Sequence, residues 1–178
     1  MTIPQRLKPY HPNKEEFTKM DALLLQIEDA IFDHNDENDP DTKHLIAQWN
    51  KIANREFEFH EFRDLHSYTD NVSFIYSAFY QIKYIEDLSF DEAIRLVNAI
   101  SESSESESDG YYLVNLLEKN FPDSNISDLI FWPDDWFQDE EFEDELTSAE
   151  ILGYAMARSG RYLPDSPEIE LKHPIPQH

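Results

Sequence analysis

Thirty-eight carboxylates are the most abundant reactive groups in this 178-residue chain, which has no cysteine and seven histidines. Acid/base catalysis needs an enclosed carboxylate pair with a shifted pKa, together with a nucleophile, a phosphate loop or a metal. No nucleophile motif and no glycine-rich phosphate loop accompanies these acids, and only three glycines are present. Two stretches could hold a metal. The run Asp33-His34-Asn35-Asp36-Glu37-Asn38-Asp39-Pro40-Asp41 alternates oxygen ligands like a calcium loop, but the required sixth-position glycine is Asn38 and the twelfth residue is His44. His60, Asp64 and His66 lack the spacing of ligands on one helix face, and no His-Glu-x-x-His pattern supports them. The expectation is therefore a non-enzymatic protein with no metal and no cofactor, whose loop carboxylates are solvated.

A different chemistry is concentrated in Ser127-Asp128-Leu129-Ile130-Phe131-Trp132-Pro133, followed by Asp134, Asp135 and Trp136. Large aromatics beside carboxylates suit a protein-binding hot spot, because the rings carry contact energy while the acids steer a basic partner. The alternative is a core plug. Pro133 ends the apolar run, so the stretch reads as one short helical turn or strand with its aromatics at the exit.

Charge narrows the partner. The formal net charge is −24, which opposes direct nucleic-acid binding and repels an anionic membrane. Attraction of a cationic protein is the complementary expectation, and solubility the plainer one. No apolar run approaches the length of a membrane span, and the first residues lack a basic region followed by an apolar one, so a cytoplasmic location is expected. The halves differ: residues 1–82 hold 15 acidic and 8 basic residues, residues 83–178 hold 23 and 6. Most of the field comes from the second half.

The elements that must position these groups read as helices throughout. A proline-rich lead-in to Pro12 precedes Asn13, a plausible N-cap with Glu15 and Glu16 in the first turn. Phe17, Met20, Leu23, Leu24, Ile27, Ala30 and Ile31 then mark one face of a helix to about Phe32. A second helix is expected after Asp41 or Thr42, with Leu45, Ile46, Trp49 and Ile52 apolar. Phe57 to Phe62 alternates briefly like a strand yet also fits a helix, which its neighbours favour. Val72 to Ile85 predicts a buried helix, with strand as the alternative.

Beyond a boundary near Lys83 to Leu88, Ser89 caps a helix with Ala93, Leu96, Val97 and Ile100 buried. Ser101 to Ser108 is a Ser/Glu low-complexity loop. Asp109 or Gly110 starts the next helix, with Leu113, Val114 and Leu117 inward and Tyr112, Asn115, Glu118 and Lys119 outward. Thr147 caps a last helix carrying Ile151, Leu152, Tyr154, Ala155 and Met156, stopped by Gly160.

Residues of about 86 to 163 resemble the small four-helix immunity proteins that neutralise DNase-type colicins and pyocins. The first-helix pattern of that family is similar to Ser89 to Ile100, its Ser/Glu-rich loop and acidic second helix follow, and its third-helix motif looks like Ser127 to Pro133. The fourth helix and terminal turn look like Asp144 to Ala157 and Ser159-Gly160-Arg161-Tyr162. The resemblance implies an all-α fold: a four-helix immunity-type bundle over 83–164, an N-terminal helical region over 1–82 and an extended tail over 165–178. It implies a toxin-specificity helix at Glu107, Gly110, Tyr111, Val114, Asn115 and Glu118, and a shared hot spot at Asp128, Phe131, Trp132 and Pro133. Tyr112 is expected to join Phe131 and Trp132 at the centre of the contact.

The implied partner is a cognate basic toxin domain, a nuclease of a bacteriocin, contact-dependent or secretion-system effector, bound beside its active site. Two departures are visible. The family's paired tyrosines are Phe131 and Trp132, so phenolic hydrogen bonds are replaced at most by an indole donor, and an insertion near Trp136 to Glu143 enlarges the acidic turn. The first half has no counterpart in the family; it is an unrelated helical addition or a degenerate second copy. A general acidic adaptor or nucleic-acid mimic is the competing function.

Overall fold

The computed structural model describes residues 2–103 and 105–176. Met1 of the lead-in, Ser104 of the Ser/Glu loop, and Gln177 and His178 of the tail lie outside the described residues. Every regular element among the described residues is helical. The chain divides into two compact units, residues 9–81 and the residues up to Lys8 together with those from Ile82 onward.

In the unit of residues 9–81, α1 spans Lys14–His34. Asn13 Oδ1 accepts the amides of Glu15 and Glu16 while Glu16 returns a carboxylate to the Asn13 amide, and Asn35 ends the helix in the left-handed region at φ 44°. α2 (Pro40–Ile52) starts earlier than its sequence suggested, because Asp39 caps it and Pro40 fits the first turn. Two of the would-be calcium ligands support local structure: Asp36 accepts from the Asn38 amide, and Asp39 from the Thr42 amide and hydroxyl. Glu58 is extended and α3 covers Phe59–Arg63, so the helical reading of that segment holds and no strand forms there.

Trp49 of α2, Phe57, Phe62 of α3 and Phe74 of α4 (Asn71–Phe79) form a fully buried aromatic cluster with ring centroids 5.2 to 6.0 Å apart. Met20, Leu23, Leu24, Ile27 and Ile31 of α1 complete this core. The helix expected over Val72 to Ile85 stops at Phe79. Asn54 takes its last carbonyls, the amide bonding Ala78 O and the side chain Phe79 O, and the chain continues extended.

The other unit contains α5 (Phe90–Ser101), α6 (Glu107–Asn120), α7 (Ile126–Phe131), α8 (Pro133–Phe137) and α9 (Ser148–Ser159). Capping boxes open α5 at Ser89 and α9 at Thr147, and Gly160 closes α9 at φ 73°. Among the described residues, five helices stand where a four-helix domain was expected; the short α8, opened by Pro133, is the additional one. α6 begins before Asp109: Ser106 accepts the Asp109 amide as N-cap, and Ser108 is buried, so the end of the Ser/Glu stretch is structured.

Two flanking segments strap this unit. At the front, Ile3 and Leu7 are buried and Arg6 grips Asp87 and Glu92 with two hydrogen bonds each, at 2.6 to 2.9 Å. The lead-in up to Lys8 therefore belongs with this unit, and its remainder from Pro9 to Pro12 with residues 9–81. At the back, Asp165 accepts the Phe90 amide, Lys172 pairs with Glu150 at 2.7 Å, and the His173 amide donates to the Tyr154 hydroxyl. Gly153 permits this approach, since a Cβ there would stand 2.9 Å from Ile169 Cγ2 and 3.0 Å from Leu171 Cδ2.

The Arg6 hydrogen bonds hold the Glu92 carboxyl at about 2, against an ordinary value of 4.5. A depressed carboxyl stabilises the folded state above its unfolded pKa and loses that contribution as pH falls through the folded one. Arg6→Ala is thus expected to flatten the fall in melting temperature between pH 4.5 and 2, and an unchanged slope in calorimetry at stepped pH would refute the pairing.

Candidate partner-binding site

α7 is too short to hold itself, so its placement depends on its ends. At the start, Glu118 Oε1 of α6 accepts both the Ser127 amide at 2.9 Å and its hydroxyl at 2.8 Å, a cap supplied from a neighbouring helix. Ile126 and Leu129 are buried, and Ile130 and Asp128 half-buried. The anchored face leaves the exit outward. Phe131 is 46 % and Trp132 56 % exposed, with ring centroids 5.5 Å apart and planes tilted by 57°.

The next turn fixes that exit from the other side. Pro133 occupies the first position of α8, Asp134 and Asp135 are exposed, and Trp136 is 3 % exposed. Its indole Nε1 donates to Ser124 O at 2.8 Å, its ring packs on Tyr154, and the Arg158 guanidinium lies 4.8 Å over it. Burial pulls the Arg158 guanidinium below its ordinary pKa, opposed by the nearby Asp128 carboxylate. The Asp128 carboxylate is thus partly offset by a cation of its own chain, with no ion pair formed between them among the described residues. What remains open at this corner is an aromatic pair flanked by Asp134 and Asp135.

On α6 the expected specificity positions divide. Glu107 and Tyr111 are exposed, while Gly110, Val114, Asn115 and Glu118 are half-buried. Nothing lies within 4 Å of a Cβ built at Gly110, so a larger side chain fits there. Asn115 bonds back to Tyr111 O at 2.7 Å. Tyr112 corrects the sequence reading: it is 4 % exposed and belongs to the core, and burial pushes its phenol up.

The inward stripe is Tyr112, Leu113, Leu116, Leu117 and Asn120: Leu113 and Leu117 are buried as expected, while Val114 is half-buried. Three buried polar residues, Ser108, Asp109 and Asn120, share that inward side and disguise its phase. Glu118, named as a specificity position, commits one oxygen, Oε1, to capping α7. The role of Trp136 was missed, although its spacing of four from Trp132 after a first-turn proline was the available signal.

No three His, Asp or Glu side chains converge as metal ligands among the described residues, and no helix there is long and apolar enough to cross a membrane. Comparison with known proteins found no matching family model, no curated relative and no similar solved structure, which leaves the likeness to immunity proteins resting on the residues alone.

Proposed function

We propose that the chain is an immunity protein that binds and neutralises a basic toxin domain, and that the α7–α8 corner is its principal contact. The observation that carries the reading is the outward aromatic pair Phe131 and Trp132 on a corner anchored by Glu118 and Trp136. Pre-anchored rings lose little freedom on binding, which favours a hot spot. Asp134 and Asp135 beside them, within a second half of net −17, raise the encounter rate with a cationic surface. Tyr111 and Glu107 on α6 supply the discriminating contacts, and the bound acidic body displaces nucleic acid from the toxin by bulk and charge.

The test uses the purified chain and, as candidate partner, the basic C-terminal domain of an exported protein, to be sought as the product of the gene immediately upstream. Trp132→Ala is expected to weaken binding by about 2 kcal/mol or more, roughly thirtyfold in Kd, mostly through faster dissociation. An unchanged dissociation rate in the folded variant removes the hot-spot assignment. Binding that tolerates the loss of Trp132 but collapses with added salt assigns the chain instead to the general acidic adaptors or nucleic-acid mimics.

A further inference from the structure

We propose that the outer face of α1 is a second docking surface, occupied by a cationic segment of the partner that presents apolar side chains. The proposal rests on the immunity reading for the identity of that partner, the basic toxin domain. It arises from a separate observation in the unit of residues 9–81: α1 carries apolar residues on two faces. Met20, Leu23, Leu24, Ile27 and Ile31 line the core. Leu25 and Phe32, seven residues and two turns apart, lie together on the opposite side, 52 % and 90 % exposed. Phe32 is the most exposed large apolar side chain among the described residues.

The surroundings state what can cover this face. Glu28, between the two, is tied down by His66 Nε2 at 2.7 Å and Asn71 Nδ2 at 3.2 Å, which joins the face to the start of α4, where Val72 is also exposed. Asp29 and Asp33 are exposed on the same flank and form no ion pair among the described residues, and the exposed Asp36 and Glu37 follow the helix. A second copy of the chain would set these carboxylates against their own duplicates, and an anionic membrane would be repelled. A basic protein segment satisfies both features at once: its apolar side chains bury Leu25 and Phe32, and its Lys or Arg residues meet Asp29 and Asp33.

The test measures binding of the same basic toxin domain to the full chain. The double variant Leu25→Ser with Phe32→Ser keeps the fold, since both side chains are exposed, and is expected to raise Kd about tenfold or more by faster dissociation. Asp29→Lys with Asp33→Lys is expected to slow association at low salt. An unchanged Kd for the serine variant, while Trp132→Ala still weakens binding, overturns the second surface and leaves the immunity reading standing. Absence of binding by the wild-type chain overturns both. A concentration-dependent dimer in sedimentation that the serine variant abolishes assigns the face to a second copy and also overturns the proposal.

Discussion

Asn120→Ala is expected to destabilise the unit formed by α5 to α9 by about 3–5 kcal/mol, the range for stripping one partner from a buried charged network. Asn120 is fully buried at the end of α6. Its Oδ1 accepts the Ile85 amide at 2.8 Å and Arg161 Nη1 at 2.6 Å, while its Nδ2 donates to Lys83 O at 3.0 Å and Leu116 O at 2.8 Å. Arg161 also donates to Asn120 O and, through Nη2, to Ile85 O, and its guanidinium lies 4.1 Å from the centre of the Tyr84 ring. One side chain therefore ties the segment entering this unit, the end of α6 and the turn after α9. Alanine orphans the Ile85 amide and the Lys83 carbonyl and strips the guanidinium of one acceptor. Hydrogen exchange in peptides from α6 and residues 82–88 should accelerate strongly; a loss of stability below about 1 kcal/mol would show that water replaces the side chain.

This network also marks what the sequence could reveal. Where an element is specified by residues within four positions of one another, it was legible. Asn13 with Glu16, Ser89 with Glu92 and Thr147 with Glu150 mark the starts of α1, α5 and α9, and the apolar spacing of three and four gives their inward faces. The all-helical class follows from such local signals. Asn54 ends α4 from 25 residues away and Arg161 reaches Ile85 from 76 residues away, and no window of sequence contains either event. The candidate site divides along the same line. Phe131 and Trp132 could be singled out by type, but Tyr112 could not be placed, because a rotation of one position in α6 moves it from the surface to the core.

Trp136 and Trp132 stand four residues apart, and substituting each with alanine is expected to give opposite results. Trp136→Ala removes a buried ring packed on Tyr154 and Phe137, the indole bond to Ser124 O and the surface on which Arg158 lies. A cost of about 3–5 kcal/mol is expected for emptying such a position. The damage extends to the contact site. Without Trp136, α8 loses its anchor, and the corner that presents Phe131 and Trp132 is ordered only through Glu118 and Ser127 at the other end of α7. Weaker partner binding should then come with reduced thermal stability and with faster hydrogen exchange in residues 124–137. Trp132→Ala, by contrast, should alter dissociation while melting temperature and exchange stay near wild type, because a residue 56 % exposed leaves little core behind it. If Trp132→Ala proves as destabilising as Trp136→Ala, the stretch is a core plug and the partner must be met elsewhere.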